Sequence, residues 1–358
     1  MDTRTLFRRN PDLLLEWDDD SGSVLVDSRS GRKFVAKPEL VDLLGRLDGP
    51  LTADELNARW PHQADADTTR RLLERLASAG IVRHDDKEDA EPAADGLTPY
   101  ERACHAQAGR GPLPGTRRGT PPPARLCHPE AIGTVPLPDA RDLPSRALAE
   151  VLSERRSVRD FAAEPVPLRL LAAFLDRSAR VRGYLPPRSY EQTQRPAPSG
   201  GARHSLEIYL VARDVEQLPP GAYHYDAFDH ALHRLSDWND DLAALQHRTI
   251  TLPALLNEAP PAGLYLASRA DRTGWKYAGM ALSMIYRDTG CLLQTMCLTA
   301  TDLGLASCPT GRMEVPVSAP FLQPYEQWLL HVGNLALGLP DPAATTTAPT
   351  PADLLPAG

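Results

Sequence analysis

The sequence predicts an α+β protein with two folded regions, a small winged-helix-like domain followed by a larger domain. Three observations carry this reading. Strand-like and helical runs mix without a regular βαβ alternation. The first 90 residues set three short strands before three amphipathic helices. Proline makes up 35 of 358 residues, with eleven between Pro92 and Pro144 and five between Pro340 and Pro356. Stretches so rich in proline form neither helix interior nor central strand, so they divide and end the folded regions.

In the small domain, residues 1–90, LLLEW (13–17), SVLVDS (23–28) and KFVA (33–36) predict strands. DDDSG (18–22) and SRSG (28–31) separate them with turn chemistry. PELVDLLGRL (38–47) predicts a helix with Pro38 in its first turn and Leu40, Leu43, Leu44 and Leu47 on one face. LTADELNARW (51–60) opens on Thr52 and Glu55, a capping box. DTTRRLLERLASAG (67–80) ends at Gly80, a residue suited to the left-handed C′ position, and Ile81-Val82 predicts a wing strand. Residues 91–145 read as a Pro-rich linker or extended arm, and 341–358 as a disordered tail.

Residues 146–340 form the large domain. SRALAEVLSERR (145–156) and PLRLLAAFLDRSA (167–179) predict helices. SLEIYLVAR (205–213), GAYHYD (221–226), AGLYLASR (262–269) and WLLHVGN (328–334) predict strands. A long helix is expected from Lys276 to Leu305, with Gly290 as a candidate break.

Composition narrows the function. Hydrophobic residues are 42% and charged residues 24%, a globular balance. Net charge is −8, and no Lys/Arg run supplies the affinity of a nucleic-acid binder. No apolar run approaches the ~18 residues of a membrane span, and MDTRTLFRRN has no signal-peptide core. The five cysteines, Cys104, Cys127, Cys291, Cys297 and Cys308, include no CxxC. They suit reduced thiols in a cytoplasm, with neither disulfide scaffold nor metal site.

Four segments carry candidate chemistry. ERRSVRDF (154–161) groups Arg155, Arg156 and Arg159 around Ser157; on a helix Arg155 and Arg159 share a face, either to hold an anion or as a solvated basic helix end. PAPSGGARH (196–204) offers Pro198, Ser199, Gly200 and Gly201, either a close backbone approach to a ligand or an ordinary turn. GLASCPTGR (304–312) leads into a Pro309-Thr310-Gly311 turn followed by Arg312, aimed at a cofactor or simply closing a helix. GWKYAG (274–279) sets Lys276 beside Tyr277; shielded from water, such a lysine has a lowered pKa and serves as a base, whereas a surface lysine does not.

In this order and at this separation, the four segments resemble the flavin-dependent nitroreductase superfamily over about residues 146–340. The nearest branch is that of the SagB-type dehydrogenases, the azoline oxidases of thiazole and oxazole formation. RRSVRDF, PSGGARHSLEIYLV, GLASCPTG and WKY followed by YRDTG (286–290) carry the resemblance. It implies a nitroreductase-like fold, FMN as cofactor and a homodimer. Arg155, Ser157 and Arg159 are implied at the FMN phosphate and ring edge, with Arg156 acting through its backbone and Pro309, Thr310, Gly311 and Arg312 beside the ring. Pro198 to Gly201 are implied to reach the flavin of the partner subunit. Lys276 and Tyr277 are implied to be catalytic. Two departures stand out. Cys291 occupies a position where the branch has His, and no Lys or Arg follows Arg312, which leaves Arg203 or Arg287 to assist at the phosphate.

Residues 1–90 resemble, more loosely, the PqqD-like elements that bind leader peptides by strand addition, with Arg32 to Ala36 facing Thr69 to Leu76 as the candidate edge. The implied substrate is then a precursor peptide, leader plus azoline-bearing core, in ribosomal-peptide antibiotic biosynthesis, with a cyclodehydratase as partner. An NAD(P)H-dependent nitroreductase or quinone reductase, and a non-catalytic scaffold, are the alternatives.

Overall fold

The structure is a computed structural model that describes residues 5–60, 65–85, 96–109, 111, 119–186, 189–323, 325 and 327–344. It divides into two compact units, Met1–Pro112 and Leu113–Gly358.

The first unit holds β1 (Leu6–Arg9), β2 (Leu13–Asp18), β3 (Gly22–Asp27), β4 (Lys33–Val35), α1 (Pro38–Arg46), β5 (Leu51–Thr52), α2 (Ala53–Arg59), α3 (Ala66–Ala79), β6 (Val82–His84) and α4 (Pro99–Gly109). β2, β3 and β4 form one antiparallel sheet, and β5 and β6 flank β1 in another. Phe7, Leu43, Leu56, Leu73 and Val82 are the centre of its core. The Thr52–Glu55 capping box is complete, and Gly80 is left-handed at φ 81°. Among the described residues β4 is an edge strand of its sheet. α3 packs chiefly on α2 and β6, and its Leu73 and Leu76 share the core with Ala36.

The expected linker is corrected. α4 lies inside it, begun by a second capping interaction between Thr98 and Glu101. Its Arg102 is buried and donates to Asp12, which also accepts from Arg29 and Arg83. Burial works to raise the Asp12 carboxyl, but the arginines hold it below the usual carboxylate range. Further on, β7 (Gly133–Pro136) pairs with the large sheet. Proline content hid both elements, because Pro99 sits at a helix start and Pro136 on an outermost strand, where a missing N–H costs little. Residues 91–95, 110 and 112–118 of the linker, and 345–358 of the expected tail, lie outside the described residues.

The second unit continues with α5 (Leu148–Glu154), α6 (Leu168–Ala179), β8 (Gly183–Tyr184), β9 (Thr193–Gln194), β10 (Leu206–Ala212), β11 (Gly221–Asp226), β12 (Ala231–Asp237), α7 (Asp240–Gln246), β13 (Ala262–Arg269), α8 (Ala270–Tyr277), α9 (Ala281–Asp302), β14 (Ala306–Thr310) and β15 (Leu329–Gly338). Seven strands form one sheet in the order β14-β15-β13-β10-β11-β12-β7, every pair antiparallel. Alternation along β10 explains its apolar run. Leu206, Ile208 and Leu210 pack with α6 and α9, while Tyr209 and Val211 pack with Leu242, Leu245 and Phe321 on the other face. The fold is α+β, as expected.

α9 passes straight through Gly290. The break comes earlier, where Ala278 takes ψ 138° and Gly279 a left-handed φ of 87°, so Lys276 and Tyr277 end α8 rather than begin the long helix. A mid-helix glycine costs only ~1 kcal/mol relative to alanine, and the apolar stripe of α9 outweighs it.

Candidate functional site

Two groups of residues emerge, linked by α9. The first is built on β14. α5 stops at Glu154, and Arg155 is extended at φ −54°, ψ 120°. The helical face expected for Arg155 and Arg159 therefore does not exist. Instead the Val158 N–H donates to the Ser307 carbonyl at 2.9 Å, so the segment runs beside the sheet edge. Arg155 acts on the Cys297 thiol, and Ser157 and Arg159 on Cys308; burial pushes both thiols up against that pull. Arg159 Nε also donates to the Ala254 carbonyl at 2.8 Å.

Pro309 and Thr310 belong to β14 rather than to a turn. Proline is admissible there because β14 is the outermost strand. Thr310 Oγ1 donates to the Thr249 carbonyl at 3.0 Å, and the buried Asn334 amide donates to the carbonyls of Thr249 and Arg312 at 3.1 and 2.9 Å. These bonds fix the chain's exit toward Gly311, beside which a Cβ would meet nothing within 4 Å. Among the described residues, Arg155, Arg156, Arg159 and Arg312 form no ion pair. Arg159 and Arg312 line two separate cavities, and guanidiniums without an ion-pair partner are donors suited to an anionic group.

The second group surrounds Lys276. Its ammonium donates to the Tyr190 oxygen at 2.5 Å and lies 4.8 and 5.0 Å from the ring centres of Tyr190 and Tyr277. Burial alone would lower the Lys276 pKa, but hydrogen bonds to the two phenols outweigh it and the pKa is raised. The expectation of a lowered value is thus corrected: Trp275 and the apolar helix shield the lysine, yet its immediate neighbours are acceptors. Gly201, at φ 62°, comes so close that a Cβ there would lie 2.6 Å from Lys276 Nζ and 2.7 Å from the Tyr277 oxygen. Ser199 Oγ donates to Asp288 at 2.6 Å, and the Gly200 N–H donates to both carboxylate oxygens of Asp288 at 3.1 Å. Burial raises the Asp288 pKa, against these bonds. Pro198 lines a small cavity with Arg195, His204 and Asp288. A groove of about 720 Å³, walled by Pro121, Pro122, Tyr184, Leu185 and Gln192, opens against Tyr190.

Asp288 and Cys297 lie nine residues apart on α9, roughly 14 Å at ~1.5 Å per residue. The two groups are therefore neighbours along one helix but not one cluster. Arg203 joins neither as an anion holder. It is buried, and its three donor nitrogens are spent on the carbonyls of Arg272, Glu191 and Pro122. Arg287 is exposed. Tyr190 and Asp288 are site residues that sequence reading did not single out. Asp288 had a signal, a carboxylate in the apolar stripe Ile285, Leu292, Met296; Tyr190, in a segment without periodicity, had none.

The family model described as Nitroreductase family matches residues 152–332. A protein named as a nitroreductase, MJ1384 of Methanocaldococcus jannaschii, is 30% identical over 181 residues, 49% of this chain and 83% of that protein. The trifolitoxin-processing protein TfxB of Rhizobium leguminosarum bv. trifolii is 29% identical over 117 residues, 32% of this chain and 31% of its own length. Among solved structures, a chain of the E. coli microcin synthetase complex McbBCD aligns over 56% of this chain and 75% of its own, at 19% identity and a TM-score of 0.41.

Proposed function

The chain belongs to the nitroreductase family, and we propose that it is an FMN-dependent dehydrogenase that oxidises azoline rings of a ribosomally made peptide to azoles. The observation that carries this reading is the lysine ammonium held between two phenols against Gly201. Aromatising an azoline removes two hydrogens from adjacent ring carbons. The flavin's part is to accept one of them with its electron pair. The other leaves the former α-carbon as a proton and needs an acceptor supplied by the chain. Lys276 in its neutral form is that acceptor, and Tyr277 orients it. Because the fold favours the ammonium, the neutral fraction is below that of a free lysine, and the rate climbs as pH rises.

Composition supports the choice of residue. The chain has four lysines, Lys33, Lys37, Lys87 and Lys276, against 35 arginines. A chain that otherwise uses arginine keeps an amine at 276, and arginine cannot give up its proton in a protein.

FMN fits the first group: Arg155, Ser157, Arg159 and Arg312 would hold its phosphate and ring edge, and the backbone at Thr310–Gly311 would pass beside it. Charge-assisted bonds are worth about 1.5–3 kcal/mol each, so Arg155→Ala and Arg159→Ala should each weaken FMN at least about tenfold. Flavin fluorescence after dialysis measures this. In a homodimer, the Ser199–Gly201 loop would complete the site of the partner. The first unit would bind the leader along the open edge of β4.

The likeness to the trifolitoxin-processing protein TfxB supports a peptide-processing role, and the groove beside Tyr190 has a volume suited to a ligand. The name of the archaeal relative favours a second reading, reduction of small nitro compounds. The test is mass spectrometry of a synthetic thiazoline-bearing peptide incubated with the full chain and FMN. Loss of two hydrogens per ring is expected. NAD(P)H consumption with a nitroarene and an unchanged peptide would select the second reading.

A further inference from the structure

The contact between Tyr190 and Lys276 joins two segments distant in sequence, and one side chain secures both. Arg203 donates through Nε to the carbonyl of Arg272, one helical turn before Lys276 on α8. It donates through Nη1 to the carbonyl of Glu191, the residue after Tyr190, at 2.9 Å. Its guanidinium lies 5.2 Å from the Tyr190 ring centre and 6.0 Å from that of Trp275. A buried cation whose hydrogen bonds all run to carbonyls of three segments is a rigid clamp, because breaking any bond leaves a buried donor unmatched. The clamp holds the phenol of Tyr190 at hydrogen-bond distance from Nζ, and Tyr190 as a residue is 9% exposed.

We propose that Tyr190 is a positioning residue for Lys276, fixing the ammonium from the side opposite its own helix and governing when it releases its proton. This rests on the reading of Lys276 as the proton-handling group. Tyr277 comes from α8 itself, Tyr190 from the segment before β9, and the backbone of Gly201 from the loop after it. Among the described charged groups on these elements, Arg203 is stacked behind Tyr190 and Trp275, Glu191 accepts from the Ala124 N–H, Arg272 is paired with Glu207, and Asp288 is engaged with Ser199 and Gly200. Among the described residues Lys276 forms no ion pair. The two phenols are the strongest influences that favour its charged form. Losing one acceptor must therefore shift Lys276 toward its neutral form.

With only four lysines, the full chain labelled with ¹³C,¹⁵N-lysine gives a countable set of side-chain signals. Lys276 is assigned by the signal lost in Lys276→Arg. In Tyr190→Phe the midpoint of its pH titration should fall by about one unit, a tenfold loss of proton affinity. Tyr190→Leu, which removes the ring as well, should lower it at least as far. An unmoved midpoint in both folded variants overturns the proposal. On the thiazoline peptide, the pH–rate limb of Tyr190→Phe should move the same way, whereas a merely structural role lowers the rate without moving the limb. If the peptide is not oxidised at all, the azoline reading fails while the titration still decides the role of Tyr190.

Discussion

Lys276→Ala should bind FMN and stay folded, yet lose about 10²–10⁴-fold in kcat on the thiazoline peptide, the range for a lost acid–base group. The stability cost should be small. Lys276 is half-buried and forms no ion pair among the described residues. No charge is left stranded when it goes. The proposed cofactor donors lie in the other group, beside β14. Lys276→Arg separates the possible roles. Arginine keeps the positive charge and the donors to Tyr190 but does not lose a proton in this pH range. If Lys276 accepts the substrate proton, Lys276→Arg should be as impaired as Lys276→Ala. Retained activity in Lys276→Arg would show that only the positive charge matters. Wild-type turnover by Lys276→Ala would place the base elsewhere. Rates are read from the growth of the oxidised peptide mass, and FMN occupancy from the flavin spectrum of the same samples.

How far the site could be read from the sequence depends on where each residue's signal lies. Patterned segments were legible. The alternation of Leu206, Ile208 and Leu210, the capping box at Thr52 and the left-handed Gly80 are local, and the structure has them where spacing put them. The helical spacing that would put Arg155 and Arg159 on one face does not hold, because the helix ends at Glu154 and the chain then runs beside β14. The raised pKa of Lys276 was not legible. It depends on Tyr190, 86 positions away, brought in by the carbonyl contacts of Arg203. Sequence spacing shows that Lys276 is shielded by its helix; only the fold shows that the shield contains acceptors. The linker failed for a related reason. Proline was counted without regard to position, and a helix start or an outermost strand accepts it.

Gly201→Ala should be the other severe change, and it should act almost wholly on rate. Gly201 has φ 62°, where an alanine costs roughly 1–2 kcal/mol. Its added Cβ would lie 2.6 Å from Lys276 Nζ and 2.7 Å from the Tyr277 oxygen. Both are ends of flexible side chains, so they yield and the backbone does not. To regain ordinary contact at ~3.5–4.0 Å, the amine and the phenol must each retreat by roughly 1 Å. A shift of that size at the reacting group is enough to cost about 10²-fold. Gly200→Ala is the control. Its Cβ would meet the Cε of Met284 at 2.3 Å, a methionine end with no part in the chemistry, and its next neighbour in Tyr277 is 3.7 Å away. Gly200→Ala should therefore lower kcat far less than Gly201→Ala, with thermal melts of the two variants within a few degrees of each other. Equal kcat for wild type and Gly201→Ala would mean that the position of Nζ does not limit turnover, and the proton-acceptor role of Lys276 would fall with it.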